Sequence, residues 1–139
     1  MISLSAIQNA SDLLRGKVVR TPLVYSQTFS DMTGSEVYLK LESLQLGGSF
    51  KVRGATCKIL SHIKDIKAGG VVAASVGNHA QGVALAARAA CLPATIIMPV
   101  WASLAKQQAA KGYGAELLLR GESLVESISI GRKIAAETQ

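Results

Sequence analysis

With 139 residues, 49% of them hydrophobic, and a mean hydropathy of +0.31, the chain has one domain's worth of sequence and enough apolar matter for a real core. Aromatic residues make up only 4%, so Ala, Val, Ile and Leu must build that core. The formal charge is +6, but the fifteen Lys and Arg run from Arg15 to Lys133 with no dense block and no interleaved aromatics, which argues against a nucleic-acid surface. The charge reads instead as a modest bias toward anionic ligands, or as an imbalance that a missing partner segment corrects. The longest apolar stretch, Leu92 to Ala102, is too short to span a bilayer and contains Pro93 and Pro99. No basic region followed by an apolar run opens the chain, so a cytoplasmic protein without a membrane segment is expected. Cys57 and Cys91 lie in apolar, helix-compatible settings without metal-ligand neighbours, and both are expected to be reduced, buried thiols.

The first periodic stretch is residues 4–14, where Ile7, Ala10, Leu13 and Leu14 recur at helical spacing behind Ser3 or Ser5 as caps. Gly16 stops it, and Lys17 to Tyr25 is extended because Val18, Val19 and Pro22 disfavour helix. Ser26 caps a short helix through Met32, ended by Gly34. Glu36 to Glu42 alternates Val37, Leu39 and Leu41 against Tyr38, Lys40 and Glu42, a strand with one buried face. A loop from Leu44 to Gly48 then delivers the chain to Ser49, the expected cap of a helix running through Ile63.

Beyond Gly69 the pattern changes to short apolar runs alternating with helices. Val71 to Ser75 reads as a strand buried on both faces, Gly77-Asn78 as a turn, and His79 to Ala90 as an alanine-rich helix. Ala94 to Met98 is a second buried strand, and Ser103 caps a helix through Lys111. A third strand, Ala115 to Leu119, precedes a last amphipathic helix with Leu124, Ile128 and Ile134 on one side. Strands alternating with helices imply right-handed crossovers and a parallel sheet. The expected fold class is therefore α/β, an open parallel sheet in three αβα layers, preceded by an N-terminal arm of helix and strand. Such sheets bind ligands beyond the carboxyl ends of their strands, and Ser75 to Asn78 lies at such an end.

Two stretches carry candidate chemistry. In Gly47-Gly48-Ser49-Phe50-Lys51-Val52-Arg53-Gly54-Ala55, Lys51 falls in the first turn of a helix. The positive end of the helix dipole disfavours an ammonium there and favours the neutral amine that carbonyl chemistry needs. The second stretch is Ser75-Val76-Gly77-Asn78-His79-Ala80-Gln81-Gly82. By itself Asn78 reads first as a left-handed turn residue at a strand-to-helix corner, the routine use of Asn, and only second as an amide donor toward a ligand oxygen; the lysine stretch upstream reverses that order. The backbone amides from Ser75 to His79 open a helix and so can hold an anion. His79 at a helix N-terminus suits hydrogen bonding better than base catalysis. Arg53 reads as a structural ion-pair or capping residue, His62 as a helix-surface residue, and Phe50 either as a neighbour of the ligand or as core filler. The sequence holds no supported Ser-His-Asp or Cys-His set and no metal cluster.

Together these stretches resemble the two motifs of the serine/threonine dehydratases, pyridoxal-phosphate enzymes of the tryptophan-synthase-β fold type. Arg20-Thr21-Pro22-Leu23, Leu39-Lys40-Leu41-Glu42 and Tyr113-Gly114-Ala115-Glu116 are similar to further landmarks of that family. The resemblance implies that Lys51 is the Schiff-base lysine of pyridoxal 5'-phosphate, that Asn78 hydrogen-bonds the cofactor's ring oxygen, and that Phe50 packs nearby. It also implies that Ser75, Gly77, Asn78 and His79 hold the carboxylate of an amino acid substrate. The implied reaction is dehydration and deamination of L-threonine or L-serine to a 2-oxo acid and ammonia, with a place in amino acid metabolism such as isoleucine biosynthesis. Val52 and Ala55 resemble dehydratases and serine racemases rather than the threonine and cysteine synthases, which tend to have an aspartate after the lysine. Val76 and Val100-Trp101 depart from the family pattern, and are expected to alter loop packing or expose an apolar patch.

The resemblance implies two regions: residues 1–43 as an arm belonging to the large domain of the full enzyme, and residues 44–139 as the small cofactor-binding αβα domain, itself incomplete. The family's glycine-rich phosphate cradle is expected beyond residue 139. The chain is therefore expected to be an N-terminal fragment, inactive alone, that forms a homo-oligomer or associates with the missing C-terminal part. A fragment of a racemase and a non-catalytic remnant that only folds and oligomerises are the alternative readings.

Overall fold

A computed structural model describes residues 1–138. Helix α1 (Leu4–Leu14) is capped by Ser3, whose Oγ accepts from the Ala6 amide at 3.2 Å. Strand β1 (Leu23–Tyr25) is shorter than the extended run predicted from Lys17. Helix α2 (Gln27–Thr33) begins at Ser26 and ends at Gly34, which takes the left-handed conformation (φ 67°) expected of a glycine stop. Strand β2 (Tyr38–Lys40) pairs antiparallel with β1, Val24 opposite Leu39. Two tight 3-10 turns, Glu42–Leu44 and Leu46–Gly48, replace the predicted loop. Helix α3 (Lys51–Ser61) ends two residues before Ile63, with His62 as its C-cap.

The second half is built as its alternation predicts. Strand β3 (Val71–Ala74), helix α4 (Asn78–Ala89), strand β4 (Ala94–Met98), helix α5 (Leu104–Gly112), strand β5 (Glu116–Leu119) and helix α6 (Leu124–Thr138) follow in order. The strands form a parallel sheet in the order β3-β4-β5, with Val71 opposite Ala94 and Thr95 opposite Glu116. Strand alternation sends β4 side chains to both faces. Ile96 and Met98 join Ala80, Ala84 and Ala87 of α4 in the main core, together with Ala55 and Ile59 of α3. On the other face, a Cβ at Gly131 of α6 would stand 3.4 Å from Ile97 and 3.8 Å from Val72 and Ala74. The result is three layers: α3 to α5, sheet, α6.

Several expectations are corrected. Only β4 is largely buried, with Thr95 alone half-buried. β3 is half-buried along its length and β5 is exposed at both ends, because each is an edge strand with a neighbour on one side only. The predicted buried face of Glu36 to Glu42 is at most half-buried, at Val37 and Leu41: β1 and β2 are exposed at every residue, Leu39 included, since no second layer covers their ribbon. In α6 the residues turned inward are Ser127 and Gly131, while Leu124 and Ile128 stay more than one third exposed. Small residues win there because they let the helix lie close on the sheet. Val100 and Trp101 are exposed, as their departure from the family pattern predicts.

The cysteines are not buried either. Cys57 is half-buried and Cys91 is exposed. Cys91 occupies the position after α4 that normally calls for glycine, at φ 55°. Its amide donates to Arg88 O at 3.1 Å and the Leu92 amide to Ala87 O at 3.0 Å, the paired bonds that close a helix of this kind. A left-handed non-glycine residue costs roughly 1–2 kcal/mol, of which glycine's extra freedom when unfolded offsets about 0.4–1 kcal/mol. Cys91→Gly should therefore raise stability by about 0.5–1 kcal/mol and Tm by about 2–4 °C. A thermal melt showing an unchanged or lowered Tm would contradict this account of the corner.

Candidate active site

The chain enters α3 through a sharply turned segment in which Gly47 and Gly48 both adopt positive φ (70° and 67°). Ser49 is extended (φ −161°, ψ 162°) and Phe50 already has helical angles (−64°, −11°). Phe50, the residue just before α3, makes no side-chain capping bond. The one serine contact is long, with Ser49 Oγ accepting from the Lys51 amide at 3.4 Å. The predicted serine cap is thus present in backbone geometry but weak as a hydrogen bond.

Lys51 is exposed, and its Nζ lies over the Phe50 ring, 4.8 Å from the centroid. Phe50 is itself 58% exposed, so it is not core filler. On the other side of the site, β3 runs out at Ala74 into half-buried Ser75, Val76 and Gly77. The Ser75 amide is anchored to Ile97 O at 3.1 Å, and Ser75 Oγ accepts from the Gly77 amide at 3.2 Å. Gly77 is the N-cap of α4 and makes no side-chain cap, as glycine cannot. Asn78 and His79 form the exposed first turn of α4. The left-handed turn reading of Asn78 is excluded, because Cys91 is the sole non-glycine residue with positive φ among the described residues.

Packing of α3 on α4 brings the two stretches together. The His79 imidazole titrates below its ordinary range, first because burial disfavours the imidazolium and second because the Lys51 ammonium repels it. At neutral pH His79 is therefore a neutral ring beside a cationic amine. The space in front of the loop is open: a Cβ on Gly77 or Gly48 would meet nothing within 4 Å. The Lys51 amine, the Phe50 ring, the Asn78 side-chain amide and the amides at the start of α4 are all exposed, at the starts of two helices that pack on each other. This donor set suits an aldehyde-bearing anionic ring compound such as pyridoxal phosphate.

Sequence reasoning missed the support behind Lys51. Arg53 donates to Glu42 through Nε (2.8 Å) and a terminal nitrogen (2.7 Å), and to Val19 O at 3.0 Å. Thr21 Oγ1 also donates to Glu42. Buried Gln45 holds the same extended strip, accepting from the Val19 amide at 2.9 Å and donating to Val19 O at 2.8 Å. The expected ion-pair role of Arg53 is correct, and its partner Glu42 was legible only as the last letter of a landmark. A concavity of about 870 Å³ lies under α1 and is lined by Ile7, Leu14, Arg15, Val19, Arg20 and Lys40 among others. Its lining includes none of Phe50, Lys51, Asn78 and His79. Among the described residues no cluster of His, Cys, Asp or Glu could hold a metal, and no helix is long and apolar enough to cross a membrane.

A family model described as pyridoxal-phosphate dependent enzyme matches residues 14–139. The chain is 46% identical over 138 residues to an L-threonine ammonia-lyase of Thermotoga maritima, covering 99% of this chain and 34% of that protein. It is also 46% identical to the catabolic L-threonine dehydratase TdcB of Staphylococcus aureus, covering 99% and 40%. The chain therefore spans little more than a third of the length of these curated relatives. Among solved structures, a threonine deaminase from the organism abbreviated T.th. superposes with a TM-score of 0.83 at 36% identity, over 99% of this chain and 43% of that one. Maize serine racemase superposes with a TM-score of 0.89 at 32% identity, over 98% and 41%.

Proposed function

The chain belongs to the pyridoxal-phosphate-dependent enzymes, and from that premise we propose that it supplies the small-domain half of a threonine or serine ammonia-lyase site. What supports the reading is the close approach of α4, which opens on Asn78 and His79 beyond the carboxyl end of β3, to the backbone of Lys51. Bound pyridoxal phosphate supplies an aldehyde for covalent capture of amines and an electron sink for the charge left when a substrate Cα loses its proton. Lys51 would hold the cofactor through its amine, and its Nζ is the base that would take up the substrate Cα proton. Asn78 donates its side-chain amide to the ring oxygen. The amides at Gly77, Asn78 and His79 bind the substrate carboxylate at the positive end of α4. Ser75 fixes that loop through its bond to the Gly77 amide. Neutral His79 adds a hydrogen-bonding group without adding a charge. Phe50 shields Lys51 from water on one side.

Residues 1–43 act as an arm of a larger domain, and the polypeptide following residue 139 in the longer relatives covers the apolar surfaces left bare here. Leu23, Val24, Tyr25, Phe29, Met32 and Tyr38 are all more than 40% exposed, a larger apolar surface than a free-standing domain usually shows. Without that cover, self-association of the chain is expected. The cytoplasm is the compartment that suits this chemistry and the two free thiols.

The test is a chimera of this chain with the C-terminal portion of the Thermotoga maritima relative, loaded with pyridoxal phosphate and given L-threonine or L-serine. Release of a 2-oxo acid with equimolar ammonia supports the lyase reading. Conversion of L-serine to D-serine without ammonia would overturn it in favour of a racemase. A folded, cofactor-loaded chimera that turns over neither substrate would overturn both.

A further inference from the structure

We propose that Gly82 is a positioning residue for Lys51, letting α4 approach the backbone of α3 closely enough to seat the amine beside Asn78 and His79. The inference rests on the reading of Lys51 as the reactive amine. A Cβ at Gly82 would stand 2.9 Å from the Lys51 carbonyl carbon, 3.0 Å from the Val52 nitrogen and 3.1 Å from the Lys51 oxygen. All three are main-chain atoms, so no side chain can rotate away to make room. The contact falls on the backbone of Lys51 itself, not merely on its helix.

Helical spacing makes the contact functional. Gly82 lies four residues after Asn78 and three after His79, so all three share one face of α4. The turn that touches the Lys51 backbone is thus stacked directly on the turn that carries the loop. The same face continues to Leu85, whose Cδ1 would lie 2.8 Å from a Cβ on Gly47, at the bend that leads into α3. Other helical glycines do not behave this way. A Cβ on Gly54 of α3 would meet nothing within 4 Å, and one on Gly131 would make ordinary contacts with side-chain methyl groups. An added methyl at Gly82 must push α3 outward at the residue whose side chain has to reach the site.

His79 reports this geometry without any cofactor, because the Lys51 charge acts on its ring. The experiment follows the His79 ring protons by NMR against pH in the 139-residue chain, with His62 as internal reference. Lys51→Met should raise the His79 titration toward the ordinary imidazole value, and Gly82→Ala should raise it too, while Gly54→Ala should leave it in place. Borohydride labelling of Lys51 with pyridoxal phosphate should fall about ten- to a hundredfold in Gly82→Ala, the scale expected of a misplacement near 1 Å. A folded Gly82→Ala chain with unaltered His79 titration and unaltered labelling would overturn the proposal, leaving Gly82 a packing residue. Should Gly82→Ala not fold, the Lys51→Met comparison decides, since an unmoved His79 there means that Lys51 is not seated beside the loop. If Lys51→Met moves His79 but the unaltered chain takes no label at Lys51, the cofactor reading fails and the positioning stands.

Discussion

Replacing Lys51 with alanine should abolish site-specific, borohydride-stable labelling of the chain by pyridoxal phosphate, and replacing it with arginine should do the same. The alanine variant lacks the amine. The arginine variant keeps the positive charge and the length, but a guanidinium stays protonated at any accessible pH and cannot act as the nucleophile. The paired result separates electrostatic recruitment of an anionic cofactor from covalent capture. Recruitment alone would survive in Lys51→Arg, and capture would not. The chain carries eight other lysines, so some scattered labelling is expected as background in every variant. The signal is the loss of one saturable site, read by the mass of the peptide containing Lys51. Lys51→Ala should leave the fold intact, because the side chain is exposed and its one aromatic contact, with Phe50, is worth about 0.5–1 kcal/mol. A Lys51→Ala chain that still takes a single saturable label would sink the assignment of the lysine.

The order of elements in the second half was legible because each carries its own punctuation. Val71 to Ala74 and Ala94 to Met98 are apolar runs too short for helices, and each is bounded by Gly or Pro. Ser26 and Gly34 mark both ends of α2 by the residue types that helix ends require. Burial was less legible, for a physical reason. Alternation in Glu36 to Glu42 records which side chains can face a core, not whether a core is present in this length of chain. β1 and β2 keep the alternation and lack the covering layer. In α6, apolar letters marked Leu124 and Ile128, but close packing on the sheet selected Ser127 and Gly131 by size. Hydropathy periodicity does not register that preference.

The site divides the same way. Lys51 and Asn78 stand out through the motif letters around them, since a lysine behind a cap and an asparagine at a strand-to-helix corner each have routine uses when taken alone. Gly82 and Gln45 do not, since their work is done by what a missing or buried side chain touches. Cys91 reads as an ordinary helical thiol until the chain is seen to turn left-handed there. The sequence shows what α4 contains, and only the packing shows that α4 meets α3 at the residue that matters.

Replacing Glu42 with glutamine should produce the largest loss of stability of any polar change near the site, and the loss should vanish in acid. Glu42 is 17% exposed and Arg53 29%, so their pair is mostly withdrawn from water. The Arg53 hydrogen bonds hold the Glu42 carboxyl at about 2, against the opposing effect of burial and with help from Thr21, from the Arg53 charge and from Gln45. A depressed carboxyl contributes stability that is present above its unfolded value, 4.5, and lost as pH falls toward the folded value. The shift corresponds to roughly 3 kcal/mol at neutral pH, at about 1.4 kcal/mol per unit. Glu42→Gln removes the charge and leaves Arg53 half-buried without a counter-ion, so urea unfolding at pH 7 should show a loss of about 2–4 kcal/mol. Near pH 2 the unaltered carboxyl is itself about half protonated and most of its contribution is gone, so the two proteins should unfold within about 1 kcal/mol of each other. An equal gap at both pH values would mean that the pair does not carry this stability. The consequence reaches the site because Arg53 lies two residues after Lys51 and, with Glu42, fastens the first turn of α3 to the strip at Val19 and Thr21. Acid should therefore loosen the lysine helix at its start before the sheet gives way, and amide exchange across Lys51 to Ala55 should rise below pH 4 while Ile96 to Met98 stay protected.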